Sequence, residues 1–135
     1  MKKLLLVLVS SLILTACSGF GVRSEKGPKA DGEFAKGQIV MGFPNIPAYP
    51  ESKIIESYGQ NGKFGVSSIS EEELAKVVNF YAPALSRLGW QNSLTKNSET
   101  NFEYEISNDE FKGSVIINTA ADGESTAISV FVEPR

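Results

Sequence analysis

One apolar stripe at helical spacing, between residues 70 and 89, is the clearest pattern in this chain. Its members recur every three or four positions: Leu74, Val77, Val78, Tyr81, Leu85 and Leu88. This spacing predicts an amphipathic helix that buries one face. Ser70 followed by Glu71-Glu72-Glu73 predicts a capping box at the helix start, and Gly89 is typical of the residue after a helix end. Pro83 lies inside the run and should kink the helix or split it near Ala82.

Segments with a strand pattern lie on both sides of this helix. Residues 53–58 and 63–69 flank Asn61-Gly62, a dipeptide that favours a tight hairpin. After the helix, Phe102, Tyr104 and Ile106 alternate with glutamates, which predicts a strand with one buried face and one wet face.

A last pair of strands is predicted at 113–118 and 126–132. In the second of these, Phe131 points away from the face shared by Ile128, Val130 and Val132. The pattern therefore predicts an α+β fold, in which an antiparallel sheet of about five strands packs against one amphipathic helix in the order β-β-α-β-β-β.

The N-terminus has the layout of a signal peptide: Met1-Lys2-Lys3, then an apolar run over residues 4–14. That run has 11 residues, whereas a membrane-spanning helix needs about 20. Leu14-Thr15-Ala16-Cys17 closes the run and resembles the lipobox of bacterial lipoproteins. The alternative is an ordinary cleaved signal peptide with an incidental cysteine.

The resemblance implies that signal peptidase recognises Leu14, Thr15 and Ala16 and that residues 1–16 are removed. Cys17 would then carry the lipid, whose two or three acyl chains give a stable anchor. The resemblance further implies a membrane-anchored, extracytoplasmic protein. Because Ser18 is not Asp, it implies the periplasmic face of the outer membrane if the host is Gram-negative.

The domain organisation is predicted in three parts: signal peptide 1–16, lipidated N-terminus and flexible tether 17–43, and a single α+β domain 44–135. The tether is inferred from five glycines and few large apolar residues between 18 and 37. Residues 38–43 are ambiguous, because they could also begin a strand or dock on the domain. Tyr49-Pro50, the single helix and Leu88-Gly89-Trp90 together look similar to small uncharacterised lipoprotein domains.

Charge and residue types narrow the chemistry. Residues 44–135 hold 7 basic and 13 acidic side chains, so we expect no nucleic-acid partner. The chain has no histidine and a single cysteine, which excludes Ser-His-Asp and Cys-His nucleophiles and metal sites built on those ligands. Glu71-Glu72-Glu73, Glu103 with Glu105, and the segments 108–110 and 122–124 are more simply explained as helix-start, solvent-facing and turn residues. We therefore expect no enzyme activity, no cofactor and no metal.

Three functions remain open. The first is a lipid-anchored, non-catalytic interaction or accessory module that contacts an envelope protein, with Phe80, Trp90 and Phe131 as candidate contacts; Trp90 could instead seal the core. The second is a small-ligand binding protein with a cavity between helix and sheet. The third, a hydrolase that uses carboxylates alone, lacks a suitable pair. The proline-rich segment 44–50 is either a strap across the domain or a docking segment for a partner.

Overall fold

The computed structural model describes residues 25–135 as one helix and one antiparallel sheet of seven strands. The elements are β1 Ala35–Lys36, β2 Lys53–Gln60, β3 Lys63–Ser70, α1 Leu74–Arg87, β4 Gln91–Ser98, β5 Asn101–Ser107, β6 Phe111–Thr119 and β7 Thr126–Pro134. The strand order across the sheet is β1-β2-β3-β7-β6-β5-β4. The predicted α+β class is confirmed, and the prediction of about five strands is too low by two.

The two missed strands lie at the edges of the sheet. β1 has only two residues, and β4 has the sequence QNSLTKNS, whose side chains are almost all exposed. Neither has the apolar alternation by which a strand is predicted. Both exist because a neighbouring strand offers backbone partners: β1 pairs with β2, and β4 pairs with β5.

The predicted hairpin is confirmed. Asn61 and Gly62 have φ angles of 53° and 75°, the left-handed pair that a two-residue turn of type I′ requires. The turn joins β2 to β3 in register from Gln60 opposite Lys63. Because β3 then pairs with β7, this hairpin is attached to the meander β4-β5-β6-β7.

The helix follows its predicted stripe but starts later than the sequence suggested. It begins at Leu74, with Glu73 as N-cap and no side-chain cap hydrogen bond, so the capping box is wrong. Ser70 is the last residue of β3, where it pairs with Thr126, and its hydroxyl accepts the Glu72 N–H instead (3.1 Å). Ser70 therefore belongs to the sheet, although the local motif assigned it to the helix.

The helix end agrees with the prediction. Gly89 has φ 82°; its N–H donates to Ser86 O, and the Trp90 N–H donates to Leu85 O (3.1 and 3.0 Å). These two bonds form a Schellman motif. Pro83 lies within the continuous helix, so the helix is not split.

The core lies between this helix and one face of the sheet, here called the inner face. Its fully buried members come from α1 and from the inward positions of the central strands: Val77, Tyr81, Leu85, Val115, Ile117, Ile128 and Val132. Phe43 and Val40 complete it from the N-terminal side. The opposite side of the sheet, the outer face, has no element packed across it in the described part of the chain.

The folded unit extends further toward the N-terminus than the predicted start at residue 44. Val40 and Phe43 are in the core, and the Ser57 hydroxyl accepts the Val40 N–H (2.9 Å) and donates to Gln38 O (2.6 Å). Residues 35–43 are therefore packed chain and not tether, which agrees with the alternative that residues 38–43 dock on the domain. The segment was ambiguous in the sequence because its apolar run, Ile39-Val40-Met41, is too short to show a period.

The predicted signal peptide, Leu14-Thr15-Ala16 and Cys17 lie outside the described residues. Within residues 25–135, no helix has the length and apolar character needed to cross a membrane.

Candidate binding surface

The space between helix and sheet is filled. A cleft of about 20 Å³ remains among Phe43, Ile46, Pro47, Tyr81 and Ile128, which is comparable to the room for a single water molecule. The ligand cavity predicted at this place therefore has no counterpart in the structure.

Two of the three predicted contact residues instead hold the proline-rich segment 44–50. Trp90 is 3% exposed, and its Nε1–H donates to Asn45 O (2.9 Å). The Phe80 ring packs edge-on against Tyr49 with centroids 5.1 Å apart, and Ile46 is buried beside them. Segment 44–50 is thus a strap across the inner side of the domain, and the buried Trp90 is not available to a partner.

Phe131, the third candidate, lies on the outer face and is 47% exposed. Its neighbours across the strands are Gly65 in β3 and Ser114 in β6. Because both are small, neither covers the ring. Phe131 is therefore separated from Phe80 and Trp90 by the sheet itself, and the three residues do not form one surface.

Two further aromatic rings lie on the same side. Phe34, which is 63% exposed, stacks on Tyr58 with centroids 5.1 Å apart. These two rings and Phe131 wall a groove of about 210 Å³ whose floor includes Gly65 and Ser129. We call it the aromatic groove.

A larger depression adjoins the aromatic groove on the other side of Phe131. Its volume is about 590 Å³, and we call it the polar trough. Its lining is mainly polar and comes from β4, β5, β6 and β7: Gln91, Ser93, Glu105, Ser107, Lys112 and Glu133. Since Phe131 lines both depressions, they are neighbours on the outer face, with the Phe131 ring between them.

The charges of the polar trough nearly balance. Glu133 lies between two lysines, with Oε2 3.5 Å from Lys63 Nζ and Oε1 3.6 Å from Lys112 Nζ. Glu105 adds one further carboxylate to the lining. The trough therefore offers hydrogen-bond donors and acceptors without a strong field of either sign.

Gly113 fixes the backbone beneath the trough. A Cβ at this position would overlap the carbonyl oxygen of Phe131 and lie 2.8 Å from Val132 Cα. Only glycine allows β6 and β7 to approach this closely, so Gly113 helps to set where Phe131 stands.

The acidic segments have structural roles. Asn108 Oδ1 accepts the N–H groups of Glu110 and Phe111 (2.9 and 2.7 Å), as expected for a turn. Hydrogen bonds from Ser125 and from the Glu124 N–H lower the pKa of Asp122, which also belongs to a turn. Among residues 25–135, no group of three or more carboxylate or thiol side chains is arranged to hold a metal ion.

Comparison with family models, with curated proteins and with solved structures gives no match for this chain.

Sequence reasoning identified Phe131 but missed Phe34, Tyr58 and Gly65. The signal for Tyr58 and Gly65 was present: the Asn61-Gly62 turn fixes their pairing, and alternation then places both on the face of Phe131. Phe34 had no such signal, because its position depends on the two-residue strand β1.

Proposed function

We propose that this protein is a lipid-anchored, non-catalytic module of the bacterial cell envelope that binds another envelope component through its outer face. The observation that carries the binding role is the half-exposed Phe131 ring, which lines both the polar trough and the aromatic groove. An exposed ring of this size costs solvation free energy, and rings at binding surfaces recover it when a partner covers them.

The anchor part of the proposal depends on the lipobox resemblance at Leu14-Thr15-Ala16-Cys17. In this proposal the acylated Cys17 holds the protein at the membrane, on the periplasmic face of the outer membrane in a Gram-negative host. Pro28 O already accepts the Met41 N–H (2.8 Å), and the Gly32 N–H donates to Gly59 O (3.1 Å), so the packed chain begins near residue 28. Residues 18–27 leave roughly 17 Å of root-mean-square reach between the anchor and the domain if they behave as a flexible chain.

The anchor is tested by membrane fractionation of the full chain and of Cys17→Ala. We expect the original chain in the membrane pellet and labelled by a fatty-acid analogue, and Cys17→Ala in neither state. If Cys17→Ala remains in the pellet with an intact lipid label, the anchor assignment is wrong.

The binding face is tested by photocrosslinking in cells with a matched pair of positions. Ser93 and Leu94 are neighbours in β4, but Ser93 lines the polar trough, whereas Leu94 pairs with the buried Tyr104 and so faces the inner side. Both are exposed. We expect a photoreactive residue at 93 to capture an envelope component that the same residue at 94 does not. Equal capture from both positions would contradict the outer face as the binding surface.

A further inference from the structure

The outer face carries one continuous row of residues that runs across the strands. The strand registers place six positions in line: Ser93, Glu105, Ser114, Phe131, Gly65 and Tyr58. Neighbouring strands are about 4.8 Å apart, so this row spans roughly 24 Å. Phe34 extends it by one ring beyond Tyr58.

The shape of this row favours an extended ligand. The polar trough and the aromatic groove lie along the same line and share Phe131. A compact small molecule would fill only one of the two depressions. A chain molecule laid across the sheet can occupy both at once.

The chemistry of the row disfavours a peptide strand. A peptide that binds as a β-strand pairs its N–H and C=O groups with the free edge of a sheet, whereas across this face the backbone groups of the strands are already paired with one another. The row itself carries one charge, at Glu105, and the charged residues beside it are Glu133 with its two lysine partners, Lys63 and Lys112. This near balance offers little attraction to a strongly basic or acidic chain.

A glycan chain fits both depressions. A pyranose ring has an apolar face of C–H groups, which packs on an aromatic ring, and a rim of hydroxyls, which needs donors and acceptors. Phe131 and the Phe34–Tyr58 pair supply rings two strand spacings apart, roughly 10 Å. Ser93, Glu105 and Lys112 supply hydrogen-bonding groups beside them.

We infer that the outer face binds a neutral glycan chain laid across the strands, with sugar rings on Phe131 and on the Phe34–Tyr58 pair. This inference rests on the proposed function, because it names the component that the module binds. Each sugar would exchange hydration for stacking and hydrogen bonds, so several weak contacts along the row add up to the affinity.

The test measures binding of chitohexaose, the β-1,4-linked hexamer of N-acetylglucosamine, to the full chain in detergent by titration calorimetry. Retention on purified peptidoglycan sacculi, with chitohexaose as competitor, is the second readout. We expect measurable binding to both. Phe131→Ala should weaken it at least tenfold.

Two further variants make the test specific. Gly65→Leu should abolish binding by filling the aromatic groove, since a Cβ at Gly65 meets only Val130 O at an ordinary 3.6 Å. Leu94→Ala is the matched control: Leu94 is 46% exposed, almost the same as Phe131 at 47%, but lies on the other face. It should bind as the original chain does, and circular dichroism should show all variants folded.

The outcomes separate the inference from the proposed function. If the folded original chain binds neither chitohexaose nor sacculi, the glycan inference is overturned. Capture of a protein from position 93 would then leave the module with a protein partner. Equal binding by Phe131→Ala and the original chain would also overturn the inference, because the glycan would lie elsewhere. Sacculus retention that chitohexaose does not compete away would count against it in the same way.

Discussion

The two faces of the sheet in this protein are built differently: the inner face stabilises the fold, and the outer face is the one that we propose binds a partner. The inner face presents Val115, Ile117, Ile128 and Val132 to the helix, and each is at most 1% exposed. The outer face alternates with it along the same strands but carries serines, glutamates and glycine around Phe131. A change of one position in the chain therefore moves a residue from the core to a solvent-facing surface.

The aromatic residues show the difference most clearly. On the inner side, Trp90 is sealed against the strap, whereas on the outer side Phe131 lies between the small residues Gly65 and Ser114 of the neighbouring strands and is half-exposed. An aromatic side chain thus closes the core in one place and remains half-exposed in the other. Its neighbours and not its own chemistry decide which role it has.

The largest expected effect of a single change is at Trp90. Trp90→Ala should lower the free energy of unfolding by about 3–5 kcal/mol, because it leaves a large cavity and releases the strap carbonyl of Asn45. Urea unfolding measures the change. Phe131→Ala is the counterpart on the outer face and should cost no more than about 1 kcal/mol. Similar losses for the two variants would break the distinction between the faces.

Two strand glycines give the next comparison. Gly113→Ala should cost about 2–3 kcal/mol, since the added methyl group would overlap the backbone of β7. Gly65 lies in β3, the other strand that pairs with β7. A methyl group added there meets only ordinary contacts, so Gly65→Ala should change the free energy of unfolding by less than about 1 kcal/mol. Thermal and urea unfolding of both variants test this, and a cost at Gly65 as large as at Gly113 would contradict it.

The third comparison is between a buried serine, Ser57, and an accessible serine, Ser67. Ser57 is 1% exposed and bonds both Val40 N and Gln38 O. Ser57→Ala should therefore cost about 2 kcal/mol and increase amide exchange at Val40. Ser67→Ala, in the neighbouring strand on the outer face, should be close to neutral. Unchanged exchange at Val40 would show that residues 38–40 are held by their apolar contacts alone.

The sequence predicted those parts of the fold that local patterns determine. The stripe of α1, the Asn61-Gly62 turn and the Gly89 helix end each follow from a few neighbouring residues. The parts it missed depend on distant partners. β4 is a strand because β5 lies beside it, and Ser70 pairs with Thr126 in the sheet and so cannot cap the helix.

The candidate site shows the same limit. Phe131 was identified because apolar residues occupy every second position around it, at Ile128, Val130 and Val132. This local alternation was enough to predict that Phe131 faces the other side of the sheet. The aromatic groove could not be foreseen as a whole, because it joins Tyr58 and Phe131 from two distant strands with Phe34, which directly precedes β1. Its most distant member reaches the sheet only through β1, which no apolar pattern marks.

The last expected effect concerns alkaline pH and again belongs to the inner face. Burial raises the pKa of Tyr81 above its ordinary value of 10.0, although a hydrogen bond with the Tyr49 backbone opposes this shift. Burial likewise raises the pKa of Tyr104, whose hydroxyl donates to Val78 O (2.7 Å).

Because the folded state holds these phenolic protons more tightly than the unfolded state, their contribution to stability is complete below pH 10. Above pH 10 the unfolded chain releases the protons first, so the free energy of unfolding should fall by at most about 1.4 kcal/mol per pH unit for each tyrosine, until the folded state also releases that proton. Urea unfolding at increasing pH measures this slope, and Tyr81→Phe should make it shallower above pH 10. Parallel slopes for Tyr81→Phe and the original chain would mean that Tyr81 ionises as easily in the folded core as in water, which its contacts with the helix, strap and sheet contradict.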